Sequence, residues 1–185
     1  MLRVTLSVFT LLFSGLLQAE EANPLYQIDV IVFTFQKERL SPENSLSSTL
    51  AALPSNALSL SSEREKNLTP YHLLPISSSH LQEAFWALHR QAQFKVLLNY
   101  SWLQPFSNQK TMVFPEINRD GWHLEGSLRV ERSNYYLVET QLLLAHDNSP
   151  QPPVVFSQKQ RLKGGEIYYF DHPEIGMVIK VHQLT

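Results

Sequence analysis

The most constraining feature of this sequence is an alternation of apolar and polar side chains from Trp122 to Arg132. Successive side chains of a β-strand point to opposite faces, so a period of two buries one set and leaves the other in solvent. The sequence therefore predicts a strand with one buried and one solvated face. The buried set is Trp122, Leu124, Gly126, Leu128 and Val130, and the solvated set is His123, Glu125, Ser127, Arg129 and Glu131.

Other strands are predicted where β-branched and aromatic residues accumulate. Ser133-Asn134 can turn the chain into a partner strand from Tyr135 to Ala145, which gives a hairpin. Tyr26–Gln36 is apolar on both faces, as expected of a strand in the middle of a sheet. The remaining predicted strands are 94–102, 154–162, 167–170 and 177–181, with 154–162 and 167–170 paired around the glycine turn at 163–166.

Two segments have the spacing of helices. Ser79 followed by Gln82 is a capping-box pattern, and it predicts a helix from about His80 to Gln91. A second short helix is expected within 41–53, where leucines recur at helical spacing before a proline. Residues 55–70 have no clear period and predict a loop. The fold class is then α+β, with a mainly antiparallel sheet of six or seven strands and about two helices.

The N-terminal segment has the organisation of a secretory signal peptide. Arg3 precedes an apolar run, Val4 to Leu17, that is shorter than the about 20 residues needed to span a bilayer. The run is followed by Ala19, a small residue at the expected cleavage position. We expect residues 1–19 to be removed and residues 20–185 to form a single periplasmic domain. An uncleaved membrane anchor is the alternative.

Composition argues against several classes of function. The chain has 15 basic and 17 acidic residues, whereas nucleic-acid binding needs a basic surface. It has no cysteine, so neither disulfides nor thiolate metal sites are expected. A glycine-rich phosphate loop, an H-E-x-x-H helix and a G-x-S-x-G elbow are all missing from the sequence. We therefore expect a protein that is not an enzyme and that uses no cofactor.

Histidines and one acidic residue are the remaining candidates for chemistry. The 7 histidines are at positions 72, 80, 89, 123, 146, 172 and 182. Their spacing gives no set of three or four converging ligands, as a zinc site requires, so turn or surface roles are expected and no metal is predicted.

Asp29 interrupts an apolar strand, where an unpaired charge is costly. We expect it to pair with Arg129 or Arg132, or to lie at an exposed strand edge.

The segment before the last strand predicts a structural turn formed by Asp171, His172, Pro173 and Gly176. Asp171 is expected to accept hydrogen bonds from backbone amides. The proline favours an extended conformation at His172, and Gly176 is expected to adopt a positive φ. These residues are interpreted as scaffold rather than as a site.

A resemblance to a known family is carried by 26–33, by Trp122–Arg132 and by Glu166–Met177, which contains the unusual string Tyr-Phe-Asp-His-Pro. These segments resemble the peptidoglycan-binding protein CsiV family of Gram-negative bacteria. The resemblance implies a non-enzymatic periplasmic protein that binds peptidoglycan. It also implies support of cell-wall synthesis through an outer-membrane lipoprotein activator of a penicillin-binding protein. Residues 39–79 match nothing in the resemblance. The alternative is a periplasmic protein–protein adaptor that does not bind glycan.

The candidate binding surface is the solvated face of the central hairpin, with Arg129, Arg132, Tyr135 and Tyr136. A planar guanidinium can grip a stem-peptide carboxylate through two hydrogen bonds, and an aromatic ring can lie against a sugar. The alternative is that both arginines only neutralise glutamates across the sheet.

Overall fold

The computed structural model describes residues 24–36, 50–64, 66–67, 69–147 and 152–184. These residues contain 12 β-strands, a short 3-10 helix and one α-helix. The predicted signal peptide and most of the predicted helix within 41–53 lie outside the described residues. The described part of that helix, residues 50–53, is not helical. No helix in the described ranges is long and apolar enough to cross a membrane.

The strands form two six-stranded sheets. Sheet 1 consists of β1 (Leu25–Phe35), β3 (Ser61–Arg64), β4 (His72–Leu73), β5 (Phe94–Pro105), β11 (Ile167–Phe170) and β12 (Ile175–Gln183). Sheet 2 consists of β2 (Leu58–Ser59), β6 (Met112–Val113), β7 (Ile117–Arg119), β8 (Trp122–Arg132), β9 (Tyr136–His146) and β10 (Val154–Leu162).

The strand order is β11-β12-β1-β5-β4-β3 in sheet 1 and β10-β9-β8-β6-β2 in sheet 2, where β7 also pairs with β8. The long strands pair antiparallel, as predicted. Both sheets are nevertheless mixed, because β3 runs parallel to β4 and β2 runs parallel to β6. The predicted single sheet is thus corrected to two mixed sheets, and the described chain contains one α-helix rather than two.

The two sheets pack face to face around one hydrophobic core. Val30 of β1 and Ile179 of β12 contribute from sheet 1, and Leu128 and Leu142 contribute from sheet 2; all four are 0% exposed. The predicted alternation in β8 is confirmed at its core positions. Ser127 was predicted to lie on the solvated face, but it is buried and only 6% exposed.

A third layer covers the outer face of sheet 1. It consists of the 3-10 helix (Ile76–Ser78) and α1 (Gln82–His89). Ile31 and Phe33 of β1 pack against Leu81 and against apolar side chains of α1. The central strand β1, which lies between β12 and β5, is therefore buried on both faces, as its sequence predicted.

The helix predicted at 80–91 is confirmed over Gln82–His89, but its capping box does not form. The Ser79 Oγ accepts a hydrogen bond from the Leu81 N–H at 3.1 Å. The Gln82 side chain instead donates to the carbonyl of Ser77 at 2.6 Å. Both side chains therefore stabilise the turn that precedes the helix rather than its first turn.

The glycine turn at 163–166 joins the two sheets, so the hairpin predicted there is wrong. Both strands exist with their predicted bounds, but β10 pairs with β9 in sheet 2 and β11 pairs with β12 in sheet 1. Gly165 has φ +84°, in the region that favours glycine, which lets the chain change direction between the sheets.

The turn before β12 is stabilised by other contacts than those predicted. His172 Nδ1 accepts the backbone N–H of Glu174 at 3.2 Å, whereas the Asp171 carboxylate accepts a hydrogen bond from the Tyr169 hydroxyl at 2.8 Å. Gly176 does not have a positive φ and lies within β12. A Cβ at this position would lie 2.2 Å from Phe33 Cζ, so close packing explains the glycine.

Candidate functional site

An open groove with a volume of about 420 Å³ lies where the turns of the two sheets meet. Its walls are the β8–β9 turn at 132–136, the glycine turn at 164–165 and the end of β12 at 182–183. Three of the residues predicted for binding, Arg132, Tyr135 and Tyr136, line it. The sequence therefore indicated residues of one wall of the groove, but not that β12 and the glycine turn complete it.

Arg132 is an exposed cation in this groove. It lies opposite Tyr136 across the hairpin, and its guanidinium carbon lies 3.8 Å from the ring centroid of Phe106. Its Nη2 donates a long hydrogen bond of 3.4 Å to the Gln183 side chain. Among the described residues, no carboxylate pairs with it. The guanidinium is thus positioned by aromatic rings but keeps donors available for a ligand.

Arg129 lies on the outer face of sheet 2, outside the groove. It pairs with Glu131 on its own strand and with Glu139 opposite it on β9, where Nη1 lies 3.8 Å from Oε2. Its Nε also donates to the carbonyl of Gln109 at 2.9 Å. Neutralisation across the sheet therefore describes Arg129 but not Arg132, and the structure does not bring the two arginines into one surface.

Tyr135 and Tyr136 occupy different environments at the groove. Tyr136 is buried beside Tyr26, with ring centroids 5.7 Å apart, and burial raises the pKa of its phenol above the usual value. Tyr135 is half-buried, and the Arg161 guanidinium lies 4.6 Å from its ring centroid. Tyr136 therefore belongs to the scaffold below the groove, whereas the ring of Tyr135 lies beside a second cation, Arg161.

Asp29 lies elsewhere, on the covered outer face of sheet 1, where it is 0% exposed. Its Oδ1 accepts hydrogen bonds from Ser101 Oγ at 2.5 Å and from Gln27 Nε2 at 2.8 Å. Its Oδ2 lies 3.5 Å from His80 Nδ1 and 3.8 Å from His182 Nδ1. The predicted pairing with Arg129 or Arg132, or a place at an exposed edge, is wrong because β1 is central and both arginines belong to sheet 2.

The histidines converge more than their spacing suggested. His80 and His182 meet at Asp29, and burial lowers the pKa of His182, an effect that the neighbouring His80 increases and Asp29 opposes. His123 lies with Glu116 and Glu125 on the outer face of sheet 2. Strand pairing brings Asp29 and His182 together from distant parts of the sequence, which no local pattern could have revealed, whereas His123 and Glu125 are only two residues apart on β8.

The fold and the groove define a two-sheet β domain whose solvent-open groove carries a guanidinium and aromatic rings. A family model described as peptidoglycan-binding protein, CsiV, matches residues 2–184. The chain therefore belongs to the CsiV family, which confirms the resemblance seen in its sequence. The match also includes residues 39–79, where no resemblance was recognised. No curated protein and no solved structure matches the chain.

Proposed function

We propose that this protein binds peptidoglycan in the periplasm without cleaving it, and that it holds the polymer in the groove at 132–136. The family description supports peptidoglycan as the ligand. The assignment of binding to this groove rests on Arg132. Its exposed guanidinium packs on aromatic rings and has no carboxylate partner among the described residues.

The chemistry of the groove suits a polymer of sugars and short acidic peptides. A guanidinium binds a stem-peptide carboxylate through two parallel hydrogen bonds, a geometry that an ammonium group cannot provide. The half-buried ring of Tyr135 offers an apolar surface to a sugar. A volume of about 420 Å³ is within the usual range of ligand sites and accommodates a short segment of the polymer.

The lining of the groove favours binding over cleavage. Glycoside hydrolysis usually needs two carboxylates on either side of the bond. The described residues that line the groove include no aspartate or glutamate. We therefore place binding, and not hydrolysis, at this site.

Location and partner complete the proposal. The signal-peptide pattern of the N-terminal segment supports a mature protein in the periplasm, where it reaches the cell wall. There it assists wall synthesis through an outer-membrane lipoprotein activator of a penicillin-binding protein. N-terminal sequencing of protein from the periplasmic fraction should give a start near Glu20. Full-length protein confined to the cytosol would contradict this placement.

Co-sedimentation with purified sacculi tests the binding function. The mature protein should pellet with intact sacculi, and soluble glycan strands freed of their stem peptides by an amidase should compete poorly for it, because they lack the carboxylates that the guanidinium binds. No soluble muropeptides should be released. Protein that stays in the supernatant with intact sacculi refutes glycan binding, and released muropeptides refute a purely binding role.

The second candidate function is a protein–protein adaptor, which the edge strand β10 favours. This strand is last in sheet 2, and within the described residues it pairs only with β9. An exposed edge of nine residues can accept an additional strand from a partner. Failure to sediment with sacculi, together with loss of a partner's binding after Gln160→Pro in β10, would favour this function over peptidoglycan binding.

A further inference from the structure

Three ligand-type side chains meet at the boundary between sheet 1 and the layer that covers it. Asp29 comes from β1, His182 from the end of β12, and His80 from the turn before α1. One oxygen or ring nitrogen of each lies within 4.8 Å of the others. The imidazole rings of His80 and His182 are also in direct contact, with centroids 4.0 Å apart.

The buried carboxylate is satisfied on one side only. Asp29 Oδ1 accepts two hydrogen bonds, from Ser101 and Gln27, and these fix the orientation of the carboxylate. Oδ2 is buried and has no hydrogen-bond partner, and it points towards the two imidazoles. Both ring nitrogens of His182 are likewise buried without a hydrogen-bond partner. Buried polar atoms are nearly always satisfied, so Asp29 Oδ2 and one ring nitrogen of His182 are open to a shared ligand.

Gln27 does not supply the missing contact. Its Nε2 lies 2.8 Å from Asp29 Oδ1, 2.8 Å from the Ser78 carbonyl and 3.3 Å from His80 Nδ1. An amide NH₂ has two protons, and the two shorter contacts use both of them. When the ring proton of His80 is on Nε2, the lone pair of Nδ1 is available next to Asp29 Oδ2.

We propose that Asp29, His80 and His182 bind a zinc ion through Asp29 Oδ2 and the Nδ1 atoms of both histidines. Zinc takes imidazole nitrogens and carboxylate oxygens at about 2.0–2.2 Å, which puts tetrahedral ligand atoms about 3.3 Å apart. The distances of 3.5 and 3.8 Å from Oδ2 need only a small contraction. Three protein ligands leave the fourth position for water, and the 48% exposure of the His80 side chain provides access for it.

The second shell of the carboxylate suits a metal. Ser101 and Gln27 bond the distal oxygen of the liganding carboxylate, the arrangement that orients ligands in metal sites. Because the ligands belong to β1, β12 and the turn before α1, zinc would connect the covering layer to sheet 1. Binding would then stabilise the folded state by an amount that rises with the logarithm of the free zinc concentration once this exceeds the Kd.

The cluster of Glu116, His123 and Glu125 provides a matched control. It offers the same ligand types, but it lies on the outer face of sheet 2 and its histidine is already bonded at both nitrogens. Nδ1 lies 2.6 Å from Asn118 Oδ1 and Nε2 lies 2.7 Å from Glu125 Oε1. Removing His123 should therefore leave zinc binding unchanged.

Calorimetric titration of the untagged mature protein with ZnCl₂ tests the proposal, with Co²⁺ absorption as a second readout. We expect one zinc per chain and the visible bands of tetrahedral Co²⁺. His80→Gln, at a half-exposed position that tolerates change, should weaken zinc binding at least about tenfold while circular dichroism stays native. His182→Gln should do the same, and His123→Gln should stay within about twofold of the wild type. Absence of zinc binding in the folded wild type, or binding lost with His123→Gln and kept in His80→Gln, overturns the proposal.

Discussion

The two sheets differ in their outer faces: that of sheet 1 is covered, and that of sheet 2 is open to solvent. Sheet 1 is covered by α1 and the 3-10 helix, so its polar side chains, Gln27 and Asp29, must find partners among themselves and their neighbours. Sheet 2 leaves charged side chains on its outer face, where Arg129 and Glu139 pair near solvent. Location relative to the layers, rather than residue type, therefore decides what each polar group can do. Arg132 differs from both groups because it lies at the open groove between the sheets.

The core between the sheets should give the largest stability effect. Leu128→Ala should cost about 2–5 kcal/mol, because Leu128 is 0% exposed and deletion leaves a cavity. Its neighbour Arg129 faces outward, and Arg129→Ala should cost at most about 1 kcal/mol, the usual value of a surface ion pair. Urea unfolding of both variants measures the difference. Equal losses would contradict the register of β8.

Buried polar groups of sheet 1 should give the next largest effect. Ser101→Ala removes a hydrogen bond of 2.5 Å to the buried Asp29 carboxylate and should cost about 1.5–3 kcal/mol. Ser157 of β10 is exposed on sheet 2, so Ser157→Ala should change stability by less than about 0.5 kcal/mol. Chemical unfolding of the pair compares a covered with an uncovered serine. A neutral Ser101→Ala would mean that Asp29 does not depend on this donor.

Close packing on the covered face is tested at Gly176. Gly176→Ala places a Cβ against the ring of Phe33 and should cost about 1–3 kcal/mol, as overpacking does. Phe33→Leu makes room for the new methyl group, so the double variant should lose less stability than the sum of the two single variants. Additive losses in thermal unfolding would show that the contact with Phe33 is not the cause.

The smallest effect concerns Tyr169 at the edge of sheet 1. Burial, followed by the hydrogen bond and charge of Asp171, raises the pKa of Tyr169 to about 12. The phenol of the unfolded chain has an ordinary pKa of 10.0, so the stability from this group is present below that pH and is lost as pH rises through about 12. Absorption by phenolate should show a late step that Tyr169→Phe removes and Asp171→Asn moves to lower pH. If Tyr169→Phe keeps the late step, that step belongs to another tyrosine and the prediction is wrong.

Long strands could be predicted from the sequence because their side chains carry a period. The bounds of β8, β10 and β11 agree with the prediction, and the apolar faces of β1 correctly indicated a central strand. Short strands such as β4 and β6 have two residues each, too few to show a period. A period also cannot tell which sheet a strand joins, which is why β10 and β11 were wrongly paired.

The candidate site was predictable only in part for the same reason. Arg132 and Tyr135 follow from the hairpin turn, which is local in sequence. The contact of Arg132 with Phe106, and the approach of β12 to the groove, depend on pairing between distant segments. Apart from Gln27 on the same strand, the partners of Asp29 are likewise supplied by strands and turns far along the chain.

The central claim is that the groove at Arg132, and not the charged outer face of sheet 2, binds peptidoglycan. Co-sedimentation with sacculi over a range of protein concentrations, for Arg132→Gln beside Arg129→Gln, tests it most directly. Each variant loses one guanidinium, and only the first loses it from the groove. We expect Arg132→Gln to weaken binding about 10- to 100-fold, the equivalent of one charge-assisted contact, while Arg129→Gln stays within about twofold of the wild type. Wild-type sedimentation by a folded Arg132→Gln variant, or an equal loss in Arg129→Gln, would contradict the account.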